Sequence, residues 1–220
     1  VTPPTPVTPT VFADVWITNQ STSLLLTKQN NALGFSNVAN NYPIITVDST
    51  DRYQTIDGFG YTLTDGSADL IKAMPAAART ALLRDVFSND PNAIGSSFIR
   101  ISIGASDLSA SAYTFNDMSA NATDVSLANF SIAPAMNSLV PVLKEILAIN
   151  PNVKILATPW SAPAWMKTNN SLIGGSLKPE YFSVYAQYFV KYIQAMKAEG
   201  INIYAITPQN EPLHDGNNPS

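Results

Sequence analysis

The sequence predicts an α/β fold, a parallel sheet with helices packed on it, and three observations carry that prediction. From Ile56 onward, short apolar runs rich in branched residues alternate with segments of helical periodicity. The strand-then-helix order recurs as far as Ile206, the pattern of parallel pairing through crossover helices. The chain has 220 residues, 45% of them hydrophobic, which is enough for a substantial core. A doubly wound sheet and half of a barrel both satisfy this order.

Residues 1–10 alternate Pro with Thr, cannot build a core, and are predicted to be an extended linker. Segments 11–17, 24–27 and 44–47 read as short strands separated by Asn, Ser and Thr turns, with no helix between them. Residues 58–65 then form a glycine-bearing strand, followed by helices over 67–74 and 75–87. Pro75 suits a first turn, where its missing N–H leaves no bond unmade. A second strand over 97–103 leads into a polar stretch, 104–131, longer than ordinary connections and on that ground a candidate functional loop.

A helix over 138–149 carries Leu139, Val142, Leu143, Ile146 and Leu147 on one side, with Pro141 in its first turn. The third strand is 153–157. Residues 179–199 place Phe182, Tyr185, Phe189, Tyr192, Ile193 and Met196 at helical spacing, and Gly200 supplies the stop. That aromatic row is read as core packing. Ile201, Ile203, Ala205 and Ile206 make the fourth strand.

Composition excludes several chemistries. A net charge of −4 gives no bulk attraction for nucleic acid, so a neutral substrate fits better. There is no cysteine, and His214 is the only histidine; thiol catalysis, a serine–histidine triad and a multi-histidine metal centre all fall away. No metal or organic cofactor is called for. No apolar run approaches the ~18 residues of a membrane span. Gly58-Phe59-Gly60 lacks the third glycine of a dinucleotide fingerprint, which argues against a nucleotide site.

The ends of the four predicted strands share a chemistry. They run into Thr64-Asp65, into Ser106-Asp107 beyond Arg100, into Thr158-Pro159-Trp160-Ser161 and into Asn210-Glu211. In barrels of alternating strands and helices such ends converge on one mouth. Glu211 is the candidate catalytic acid, against the plainer reading of a surface Glu in a turn flanked by Pro208 and Pro212. Trp160 could offer a sugar ring a flat face and one N–H donor, or pack as an ordinary aromatic, as is expected of Trp165. Asp107 could accept two sugar hydroxyls or terminate a turn. Arg100 is read as a supporting residue and Thr64-Asp65-Gly66-Ser67 as a helix cap.

At these residues the chain resembles glycoside hydrolase family 30, in the branch of glucosylceramidases and microbial β-glucanases. The likeness covers about residues 44 to 215. It runs through Asp57-Gly58-Phe59-Gly60 with Thr64-Asp65, Phe98-Ile99-Arg100 with Ser106-Asp107, and Pro159-Trp160-Ser161-Ala162-Pro163-Ala164-Trp165-Met166-Lys167-Thr168-Asn169. It continues through Gly175-Ser176-Leu177-Lys178, Tyr188-Phe189-Val190-Lys191 and Asn210-Glu211-Pro212. Tyr61 and Leu63 depart from the family's usual pattern after Phe59-Gly60.

The resemblance implies a (β/α)8 TIM barrel, of which residues 51–220 would supply the first four strand–helix units and 11–50 the N-terminal strands of a side β-domain. It implies Glu211 as general acid/base, Asn210 contacting the sugar 2-hydroxyl, and Asp107 and Trp160 in the glucose subsite. The substrate would be a β-glucan, a β-glucoside or a glucosylceramide-like lipid. Retaining hydrolysis needs a second carboxylate roughly 5 Å from the first. In the family that nucleophile lies on the seventh strand, so residues 1–220 alone are expected to be inactive without the C-terminal half. A noncatalytic carbohydrate-binding module and an inactive half-barrel are the alternatives. The Pro/Thr-rich start suggests an extracellular or cell-surface protein.

Overall fold

A computed structural model of the chain describes residues 9–36 and 41–220. Most of the linker expected over residues 1–10 lies outside the described residues. The chain divides into two compact units between Gln54 and Thr55.

In the first unit, β1 (Phe12–Ala13) pairs antiparallel with β4 (Leu33–Gly34), and β2 (Trp16–Asn19) with β3 (Leu24–Lys28). The turn between β2 and β3 closes because the Asn19 side chain accepts the Ser21 N–H and Ser23 takes a left-handed conformation. The strand expected over 44–47 does not form. Ile44, Ile45 and Val47 are 85–89% exposed, and no described segment pairs with them. An extended run becomes a strand only when a neighbour accepts its backbone bonds.

The second unit carries β5 (Gly60–Leu63), α1 (Asp65–Ala73), α2 (Ala76–Phe87), β6 (Phe98–Ser102), α3 (Leu139–Ile149), β7 (Lys154–Thr158), α4 (Phe182–Ala198) and β8 (Ala205–Ile206). The four strands form one parallel sheet in the order β5-β6-β7-β8. Sequential strands are neighbours throughout. A doubly wound sheet reverses its order at a switch point, and no such reversal occurs among the described strands.

Alternation within the strands separates two chemistries. Leu63, Ile99, Ile101, Ile155 and Ala157 are at most 1% exposed and join a core with Leu143 and Ile146 of α3 and Tyr188, Tyr192 and Met196 of α4. Each fully buried Leu or Ile contributes roughly 2 kcal/mol relative to exposure. Thr62, Arg100, Ser102 and Thr158 take intervening positions with Leu156 and Phe98, so the other face of the sheet becomes polar toward its carboxyl end. Gly60 has no alternative: a Cβ there would stand 1.4 Å from the carbonyl oxygen of Phe98 on the paired strand.

Helix boundaries follow their caps. The Thr64 hydroxyl accepts the Ser67 N–H at 3.1 Å, so α1 begins at Asp65, two residues before the predicted start. Pro75 occupies the cap position of α2, and Pro141 lies in the first turn of α3.

The long stretch 104–131 is a packed layer. Asp124 accepts from the backbone N–H groups of Ala128 and Asn129, the Asn116 amide and the Ser126 hydroxyl, which hold its carboxyl well below the usual carboxylate range. Phe115 stacks on Tyr192 at 5.7 Å, and the Ser109 and Tyr113 hydroxyls donate to Asp65 at 2.5 and 3.1 Å.

Candidate active site

Parallel register brings the carboxyl ends of β6, β7 and β8 level, since Ser102 pairs with Thr158 and Ala157 with Ile206. Arg100 rises from β6 into the polar face. Its Nε donates to Thr158 Oγ1 at 3.2 Å, and a terminal nitrogen donates to Asn210 Oδ1 at 2.7 Å. The guanidinium carbon lies 4.7 Å from the Trp160 ring centroid, a cation–π contact. Thr207 donates its hydroxyl to Thr158 Oγ1 at 2.9 Å.

The segment after β8 is laced to the segment after β7. Asn210 N–H donates to the Pro159 carbonyl at 2.8 Å, and Gln209 Nε2 to the Trp160 carbonyl at 2.6 Å. Asn210 is therefore placed by its backbone and by its side chain. Burial pulls the Arg100 pKa down, and the charges of Asp107 and Glu211 oppose that shift. Both carboxylates thus act on the guanidinium, yet neither forms an ion pair with it among the described residues.

Arg100, Trp160 and Asn210 meet in direct contact, whereas Asp107 and Glu211 are exposed and join the group through charge. Glu211 has a positive φ of 42°, a left-handed conformation that non-glycine residues adopt at an energetic cost. Its Oε2 accepts from Asn217 Nδ2 at 2.8 Å. The open face expected of Trp160 is covered: the residue is 5% exposed because Arg100 lies against its ring. Its indole N–H is buried and meets no acceptor among the described residues. A donor in that state calls for a partner. Trp165 packs as expected, donating to the Asn116 carbonyl at 3.0 Å. Asp65 follows the cap residue Thr64 and anchors the 104–131 layer rather than the site.

Sequence reasoning gave no role to Thr158, Thr207, Gln209 or Lys167. The two threonines had a signal, as hydroxyl residues at the carboxyl ends of parallel strands. Lys167 stands in the 165–169 run without a role of its own. It is 4% exposed and donates to Ser161 Oγ at 3.0 Å and to a main-chain oxygen of Ser220 at 2.5 Å. Desolvation pulls its ammonium down to about 8. It lines a cavity of about 550 Å³ together with Tyr185, Phe189, Gln209 and Glu211. Among the described residues, no group of three or more acidic, histidine or cysteine side chains is arranged to hold a metal, and no helix is long and apolar enough to cross a membrane.

Known proteins are similar to this chain in sequence and fold. The family model described as the glycosyl hydrolase family 30 TIM-barrel domain matches residues 56–218. The chain is 43% identical over 179 residues to an endo-1,6-β-D-glucanase of Neurospora crassa, covering 77% of the chain and 36% of that protein. It is 32% identical over 176 residues to the lysosomal acid glucosylceramidase of Mus musculus, covering 77% and 33%. Among solved structures, the endo-β1,6-glucanase BT3312 superposes with a TM-score of 0.79 at 42% identity, over 96% of this chain and 45% of that one. The chain spans about a third of the curated relatives' length and under half of that solved structure.

Proposed function

The chain belongs to glycosyl hydrolase family 30, and from that premise we propose that it supplies the acid/base half of a retaining glycoside hydrolase acting on β-glucosidic bonds. The observation that carries the proposal is the placement of Glu211 beside an Asn210 amide already oriented by Arg100, at the carboxyl ends of three parallel strands. Glu211 protonates the leaving oxygen, then takes a proton from the water that completes the second step. Asn210 donates to the 2-hydroxyl of the glucose unit, and Asp107 accepts from its outer hydroxyls. Trp160 bounds the same subsite from behind Arg100, whose guanidinium covers its ring.

The nucleophilic carboxylate is proposed to come from outside these 220 residues. Asp107 is committed to binding sugar, and Asp215 lies beyond the acid/base on the same loop. The short span of the chain relative to its relatives supports this. Higher identity to the endo-1,6-β-glucanase than to the glucosylceramidase makes β-1,6-glucan the first substrate to try. The Pro/Thr-rich start supports an extracellular or cell-surface location, which fractionation of the producing cells would test.

The deciding experiment offers β-1,6-glucan, β-1,3-glucan and glucosylceramide to the protein encoded by the full reading frame, to residues 1–220 alone, and to Glu211→Gln. Turnover by the first only, with the β-configuration retained in the initial product, is the expected result. Hydrolysis undiminished in Glu211→Gln, or an inverted product, would refute the assignment. Binding without turnover would favour a carbohydrate-binding module.

A further inference from the structure

We propose that the Thr158–Thr207 hydroxyl pair is the positioning element of this site, fixing the guanidinium of Arg100 and, through it, which way round the Asn210 amide faces. The inference rests on the reading above only for what Asn210 then touches. A threonine oxygen has two lone pairs and one proton to give. At Thr158 both lone pairs are occupied, one by Arg100 Nε–H at 3.2 Å and one by the Thr207 hydroxyl at 2.9 Å. Rotation of Thr158 would sacrifice both bonds together. Its β-branched side chain has few rotamers to begin with.

The polarity of the chain is then forced. Arginine can only donate, so Thr158 must accept from it, and the Asn210 atom 2.7 Å from it must be the carbonyl oxygen. The amide nitrogen of Asn210 is left facing away from Arg100 as a donor. Were the guanidinium to swing out of reach of Asn210 Oδ1, nothing in this chain of bonds would stop the amide presenting an acceptor instead.

Trp160 cannot do this work alone. A ring against the face of a guanidinium holds its plane but leaves rotation within that plane unrestrained. Bonds on two edges, to Thr158 and to Asn210, remove that freedom. The four residues come from β6, the end of β7 and the segment after β8, so the same bonds tie three strand ends together.

Thr158→Val removes the acceptor while keeping shape and strand propensity. In the protein encoded by the full reading frame, it lowers kcat roughly tenfold with KM nearly unchanged, the size of one lost bond to a charged donor. Thr158→Ser, which keeps the hydroxyl, stays close to the parent, and that rescue separates positioning from packing. On an Asn210→Ala background Thr158→Val costs nothing further, because the amide it orients is gone. Additive losses, or a Thr158→Ser as poor as Thr158→Val, would overturn the proposal.

A readout independent of turnover separates this inference from the functional reading. The Arg100 Nε–H resonance of the unliganded protein is expected to exchange slowly, and quickly in Thr158→Val. If it responds while Asn210→Ala leaves hydrolysis intact, the substrate role of Asn210 has failed and the positioning stands. If it does not respond, the positioning has failed.

Discussion

The two ends of the parallel sheet are built on opposite principles. At the amino ends, Lys154 opens β7 and donates to Asp57 at 2.8 Å. Tyr204, just before β8, donates to the same carboxylate at 2.8 Å. Lys154 also lies 4.5 Å from the Tyr204 ring, whose edge meets Phe98 of β6. The Lys154 and Asp57 charges answer each other. At the carboxyl ends, among the described residues, Arg100 has no ion-pair partner, the Ser102 hydroxyl and the Trp160 N–H are buried without a hydrogen-bond partner, and Glu211 holds a left-handed backbone. One end is satisfied and the other is poised, which is the division between stability and function that such barrels show.

The comparison breaks most visibly if activity and stability fail to separate. Glu211→Gln is expected to lower kcat by roughly 10²- to 10⁴-fold while leaving the urea midpoint nearly where it was, since among the described residues its side chain makes one hydrogen bond, the exposed one to Asn217. A midpoint that falls along with kcat would mean that Glu211 holds the fold.

Gly60→Ala probes the opposite end. The new Cβ meets the Phe98 carbonyl oxygen at 1.4 Å, and a backbone atom cannot step aside as a flexible side chain can. The β5–β6 pairing must part, at a cost on the order of 4 kcal/mol in the unfolding free energy. Denaturant unfolding would measure it, and a change below ~1 kcal/mol would show that the amino end is slack.

Lys154→Met takes one charge from the satisfied end. Asp57 is held below the ordinary carboxylate range by Lys154 and then Tyr204, and Lys154 is raised by Asp57. The depressed acid contributes stability above its unfolded pKa of about 3.9 that is lost as pH falls through its lower folded value. The raised base contributes below about 10.4 and loses it as pH rises. The variant should therefore have a slightly lower midpoint from about pH 5 to 9, converge with the parent in acid, and keep kcat unchanged. A loss that persists at pH 2 would belong to packing.

What the sequence made legible divides along the same line. The strands β5 to β8 are legible because apolar runs with alternating helix-facing residues recur, separated by helices. Arg100, Asn210 and Glu211 were visible because their positions relative to strand ends are local. The 104–131 layer was not, because Asp124 and Asp65 organise it with donors whose convergence depends on the folded path. The sequence leaves an open face for Trp160 in play, since nothing local shows that Arg100, 60 positions earlier, lies against it. The strand at 44–47 was overread because branched residues report propensity and not the presence of a pairing partner.

The smallest expected effect contrasts two lysines. Lys154 is paired and raised, whereas burial pulls Lys167 down to about 8 from an ordinary value of 10.5. Between those two pH values the unfolded chain holds the Lys167 proton more often than the folded one, so stability attributable to it rises with pH. Below pH 8 the full cost of burying the cation is present. Lys167→Met removes the group and should flatten this rise, so that in urea midpoints the parent gains on the variant between pH 8 and 10.5. Parallel curves across that window would mean that Lys167 keeps its proton as firmly as Lys154 does, and the poised end would lose its clearest electrostatic signature.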